Sequence, residues 1–218
     1  MEKIFSSFNR WLLFCFAFIG AMIAVRIAYS GNRQFLFLVW NLFLAFVPYA
    51  VSLLFTHPFF QNKKMQFLLF AAWLLFLPNA LYIVTDIIHL EETENVPLWY
   101  DAVLLFCSSF AGIAMAFASL VNTESYLRKI FPRRFIGPVI IAILFIGSFG
   151  VYLGRFERWN SWDVIHHPFH LSSHIAANIL FPFSHYRTWA VTFLLTGLYS
   201  VFWFLLKTFP RLGKEYGA

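Results

Sequence analysis

The chain has 218 residues, 61% of them hydrophobic and only 12% charged, with 30 phenylalanines and a formal net charge of +6. A water-soluble domain could not bury that apolar fraction, so the composition excludes a soluble enzyme or a nucleic-acid-binding domain and points to an integral membrane protein. The positive charge reads as a topology signal and an attraction for anionic lipid headgroups, because no basic-aromatic nucleic-acid motif interrupts the apolar runs.

A hydrocarbon core about 30 Å thick needs roughly 20 apolar residues per helix. Runs of that kind recur at about 11–29, 35–55, 66–84, 99–121, 135–153 and 188–207. They predict an all-α, polytopic transmembrane bundle of about six spans, forming a single integral membrane domain over 1–218. The first span follows Lys3 and Arg10, as in a signal peptide, but no small-x-small cleavage pattern precedes Arg26, so it is expected to be retained. Cys15 and Cys107 fall within spans one and four, at different expected depths, and support neither a disulfide framework nor a zinc knuckle.

With the amino terminus in the cytoplasm, that side carries Lys3, Arg10, Lys63, Lys64, Arg128, Lys129, Arg133, Arg134, Lys207, Arg211 and Lys214, which is 11 of the 16 basic residues. The other side keeps Arg26, Arg33, Arg155, Arg158 and Arg187. By the positive-inside rule this predicts a multi-pass cell-membrane protein with both termini cytoplasmic. Acidic residues run the other way. Asp86, Glu91, Glu92, Glu94 and Asp101 flank spans three and four on the outer side, where every histidine but His57 also lies.

Span three carries "LPNALYIVTDIIHL" at 77–90, in which Asn79, Tyr82, Asp86 and His89 are spaced 3, 4 and 3. On an α-helix they form one polar stripe, which would be costly against lipid and so should face other helices or water. Pro78 lacks an N–H and crowds the carbonyl of Leu74, predicting a kink just before the stripe, with Asn79 as a candidate partner for freed backbone groups. In span four, Asp101 follows Trp99 and Tyr100, an expected interfacial anchor, and Ser108, Gly112 and Ala116 repeat at four-residue spacing. Gly150 and Gly154 make a similar pair in span five. Such small residues let helices approach closely, so Arg155 is expected to reach Asp86 or Asp101. The stripe equally suits interhelical packing, with Asp86 as half of a structural ion pair.

"GRFERWNSWD", 154–163, concentrates four charges and two tryptophans at the outer end of span five. Arg155, Glu157 and Arg158 offer two guanidinium forks and a carboxylate, suited to phosphate or carboxylate, in a ligand or in the protein. Asn160 or Ser161 would cap a short helix with Asp163 in its first turn, while Trp159 and Trp162 would float the segment at headgroup level. "HHPFHLSSHIAANILF", 166–181, reads as an amphipathic helix on the outer face, with a re-entrant or seventh span as the alternative. His170 and His174, one turn apart, are candidate metal ligands, although no HExxH or paired-cysteine pattern accompanies them.

The segments "WNLFLAFVPY", "FLPNALYIVTDIIHL", "WYD" and "LGRFERWNSWD" resemble the signature segments of the bacterial membrane proteins grouped as domain of unknown function 1361, from about residue 36 to the end of the last span. The resemblance implies a multipass protein of a bacterial inner membrane and brings no activity, cofactor or catalytic residue with it.

Three function classes follow from the residues. A membrane-embedded enzyme would use Asp86, His89 or Asp101 as acid–base groups. Asn79, Tyr82, Arg155, Glu157, Arg158 and Asp163 would bind an anionic lipid headgroup or lipid-linked phosphate in an outer-facing polar pocket. An assembly protein would need only packing and an outer surface. A transporter would carry polarity through the bilayer in two related halves, whereas the inner halves of these spans are nearly all Phe, Leu and Ala and no internal repeat is present.

Overall fold

Backbone amides find no water in a hydrocarbon core, so a chain this apolar must satisfy them within helices. The computed structural model describes residues 2–92 and 95–215, with side chains over 7–92 and 95–208; Glu94 and the side chains of Lys3, Arg211 and Lys214 lie outside the described residues. The α-helices are α1 Glu2–Ser30, α2 Phe37–Leu54, α3 Lys63–Tyr82, α4 Leu98–Ile130, α5 Ile136–Phe156, α6 Asp163–His166, α7 Pro168–Leu180 and α8 Tyr186–Glu215. Six stretches are long and apolar enough to cross a membrane: Ser7–Ser30, Gln34–Leu54, Lys63–His89, Leu98–Ile130, Arg133–Phe156 and Tyr186–Thr208. Helix α7, with 13 residues, reaches about 20 Å at 1.5 Å per residue and is not among them.

Local sequence sets the helix ends. Gly31 adopts a left-handed conformation, φ 68°, and its N–H reaches the Ile27 carbonyl at 2.8 Å, closing α1 where a side chain would be strained. Asn62 caps α3 by accepting from the Lys64 N–H at 3.0 Å. Helix α3 continues through Pro78, and its winding then tightens into a 3-10 segment, Ile83–His89.

Contacts between helix ends show the spans alternating in direction. The end of α1 meets the start of α4 through Arg26 and Asp101, while the start of α2 meets the end of span three through Asn41 and Asp86. At the opposite end, Glu124 of α4 accepts from Arg128 and from Lys207 of α8. The start of α1 and the end of α8 belong to that end. Helices α3, α4 and α5 form the centre, with α2 against α3 and α4, α1 against α4, and α8 against α5. Tyr199 of α8 donates to the Leu81 carbonyl at 2.9 Å.

Glycine permits the central approach. A Cβ at Gly112 would lie 3.0 Å from the Ala80 carbonyl oxygen, and one at Gly150 would lie 2.5 Å from Cγ of Pro78. The cysteines correct an expectation: Arg26–Asp101 and the Trp11–Phe110 ring contact bracket them on α1 and α4, so Cys15 and Cys107 share a level. Both thiols are free.

Candidate functional site

Arg155 ends α5 directly above the Gly150–Pro78 approach, so its side chain lies over the last turn of span three. Nε donates to Oγ1 of Thr85 at 2.8 Å, Nη1 lies 3.0 Å from Nε2 of His89 and Nη2 bonds Oδ1 of Asp86. A guanidinium has no lone pair to offer, so His89 accepts through Nε2. The Tyr82 ring lies under the guanidinium carbon at 4.0 Å. Asp86 takes its second bond from Nδ2 of Asn41 at 2.9 Å. The ion pair is buried, with 8% exposure at Arg155 and 1% at Asp86. The 3-10 winding brings Asp86 and His89 onto one face, because side chains three apart eclipse there, and it adds Thr85, which sequence periodicity did not single out.

Asp101 does not join this cluster. It pairs with Arg26 in a bidentate bond, Nε to Oδ1 at 2.7 Å and Nη2 to Oδ2 at 2.9 Å, and the guanidinium lies 4.4 Å from the Phe35 ring centre. Sequence reasoning counted Arg26 only as an outer-side cation. The available signal was a lone arginine inside an apolar span, which demands a buried partner at the same depth.

The segment after α5 also departs from expectation. Arg158 takes φ 60°, and the following N–H, that of Trp159, returns to the Leu153 carbonyl at 3.1 Å. Arg158 is exposed and closes no pocket against the aspartates; its side chain has no hydrogen-bond or ion-pair partner among the described residues. Asn160 and Ser161 do not cap α6. Instead Oδ2 of Asp163 accepts from the Asn160 N–H at 2.7 Å. Ser161 donates to the Leu75 carbonyl at 3.2 Å, in the turn that Pro78 perturbs, and accepts from Nδ2 of Asn79 at 3.0 Å. Glu157 lies 3.4 Å from Nε2 of His174, and Trp159 packs between the His170 and His174 rings, with centroids 5.3 and 5.9 Å away. Trp159 is thus packed against α7 and lines the space between α3 and α5. No group of three or more His, Cys, Asp or Glu side chains among the described residues could hold a metal, and His170 and His174 engage Trp159 and Glu157.

A cavity of about 390 Å³ lies beside this network. Leu74, Pro78 and Tyr82 of α3 and Phe149, Gly150 and Leu153 of α5 form its walls, Leu171 and Ile175 of α7 cover it, and Asn79, Trp159, Asn160 and Ser161 line its polar end. The polar residues expected to line an open pocket mostly bond one another, and the adjoining space is chiefly apolar. Asp86, His89, Asp101 and Arg155 do not line it; Tyr82 does, with Arg155 behind it.

Helical spans, paired buried charges and a cavity at one end define a polytopic helical membrane protein. The chain belongs to the family described as Protein of unknown function (DUF1361), whose model matches residues 40–202. No curated protein and no solved structure matches it.

Proposed function

We propose that the protein binds an amphiphile with an anionic head, such as an anionic lipid or a lipid-linked phosphate, at the polar end of the α3–α5 cavity. The observation that carries this reading is Arg158. It does not line the cavity but immediately precedes the lining residues Trp159, Asn160 and Ser161 in the chain, and it is exposed, unpaired among the described residues and held in a left-handed conformation that costs a non-glycine residue about 1–2 kcal/mol. Helix ends of this kind favour glycine, so an arginine held there suits a ligand better than it suits the fold. Arg155 cannot serve the ligand in the same way, because it is buried, does not line the cavity and already bonds Thr85, His89 and Asp86 through its three nitrogens. Its role is to fix Tyr82 as cavity wall. A guanidinium fork then meets the phosphate while the Asn160 side-chain amide and the second N–H of the Asn79 amide, the first being taken by Ser161, orient it. The positive-inside bias would place this site on the outer face of the cell membrane.

Arg158→Gly separates binding from folding. In detergent solution, phosphatidylglycerol should raise the unfolding temperature of the wild type well above the shift from phosphatidylcholine, and Arg158→Gly should abolish the difference while folding at least as stably. Equal shifts from both lipids in the wild type would overturn the reading.

A further inference from the structure

We infer that the α3–α5 cavity is a slot for one hydrocarbon chain, which enters sideways from the bilayer while its head stays at the surface. This deepens the amphiphile reading and rests on it. The first ground is length. The lining runs along α3 from Tyr82 to Ala71, a distance of about 16 Å at 1.5 Å per residue, close to half of a hydrocarbon core about 30 Å thick. The slot is therefore one leaflet deep.

The second ground is where it opens. Ala71 and Ile146, at the deep end of its two walls, are exposed, and their neighbours on the same outer surface, Phe67 and Leu68, are 65% and 60% exposed. In a spanning helix such residues face lipid. The slot is thus continuous with the lipid-facing surface, whereas its other end reaches Asn160 and Ser161 at the turn before α6. The third ground is shape. Gly150 and Gly154 add no side chain to the floor, Gly150 lies against the Pro78 ring, and a Cβ on Gly154 would sit 3.6 Å from the Tyr82 ring. The resulting floor is smooth and apolar, with no charged group along it, as a chain of methylenes requires and a hydrophilic solute does not. Leu171 and Ile175 of α7 lie across the slot and hold the chain against the bundle.

Chain length is the variable that tests it. Binding of dipalmitoyl and dihexanoyl phosphatidylglycerol to the detergent-solubilised full chain would be compared in wild type, Ile146→Trp, Ala71→Trp and Arg158→Gly. Leu194→Trp, at a 70% exposed position on α8, serves as a lipid-facing control. An indole at either deep position should weaken the long-chain lipid by about tenfold or more and leave the short-chain lipid unchanged, with no effect from Leu194→Trp. Arg158→Gly should weaken both lipids. If Arg158→Gly weakens both and neither indole distinguishes the chain lengths, the slot is overturned and the headgroup site stands. If the indoles act on the long chain and Arg158→Gly does nothing, the slot stands and the headgroup site falls. Loss at Leu194→Trp equal to that at Ile146→Trp would reduce the effect to bulk lipid and overturn the slot.

Discussion

Removing the Arg155 side chain leaves the Asp86 carboxylate buried with only Asn41 bonded to it, and an uncompensated buried charge is what makes breaking such a pair costly. Arg155→Ala should therefore lower stability by about 3–5 kcal/mol, whereas Arg187→Ala, at an exposed position, should leave the unfolding temperature nearly unchanged. The double variant Asp86→Ala with Arg155→Ala should lose less than the sum of the singles, as measured by unfolding in detergent. Simple additivity would mean that the two side chains are not coupled. The Arg26–Asp101 pair allows a sharper comparison. Its Nη1 is buried without a partner, so the charges are imperfectly compensated, and Arg26→Met with Asp101→Leu should be more stable than Asp101→Ala alone. A double variant as unstable as that single one would mean the pair itself, not the orphaned charge, supplies the stability.

The elements meet where side chains are smallest. Pro78 cannot swing away from Gly150, because its ring is closed on the backbone, and a Cβ 2.5 Å from its Cγ would force α3 and α5 apart. Gly150→Ala should lose about 1–3 kcal/mol, the usual cost of overpacking. Gly197→Ala, on α8, meets nothing within 4 Å and should be neutral or stabilising by up to about 1 kcal/mol, since alanine is the better helix former. Comparable unfolding temperatures for the two variants would show that the close approach is not required. Helix α7 obeys the same logic from the other side. Leu171 and Asn178 turn inward, and Asn178 accepts from Oγ1 of Thr188 on α8 at 2.6 Å, while Phe169 and Ile179 stay exposed. The helix is too short to span, and by burying polar Asn178 while leaving Phe169 and Ile179 outward it does not sort its side chains as a simple amphipathic helix would.

Across the whole molecule the charge asymmetry is stronger than a residue count suggests. Of the five basic residues at the polar end, Arg26 and Arg155 are neutralised by Asp101 and Asp86, leaving Arg33, Arg158 and Arg187, whereas the single carboxylate of Glu124, shared by Arg128 and Lys207, offsets one charge of the 11 at the other end. The positive-inside rule then predicts both termini in the cytoplasm. In a chain with Cys15 and Cys107 replaced, a membrane-impermeant thiol reagent applied to intact cells should label Ser172→Cys and spare Lys64→Cys. The reverse pattern would turn the bundle over and put the cavity on the cytoplasmic side.

Six spans, the small-residue contacts between central helices and the gathering of polar residues at one end are all legible in the amino-acid order. Each is a one-dimensional consequence of a solvent about 30 Å thick or of helical spacing. Partner choice is different. Asp86 and Asp101 look alike in sequence, both near the outer ends of spans, yet one takes Arg155 and the other Arg26. That choice depends on which helices are neighbours and how each is rotated about its axis. The tightening of residues 83–89 into 3-10 form, the left-handed Arg158, the shared level of the two cysteines and the cavity between α3 and α5 were likewise decided only by the tertiary structure. Each depends on how close and in what register two surfaces meet, which hydrophobic periodicity within one helix does not encode.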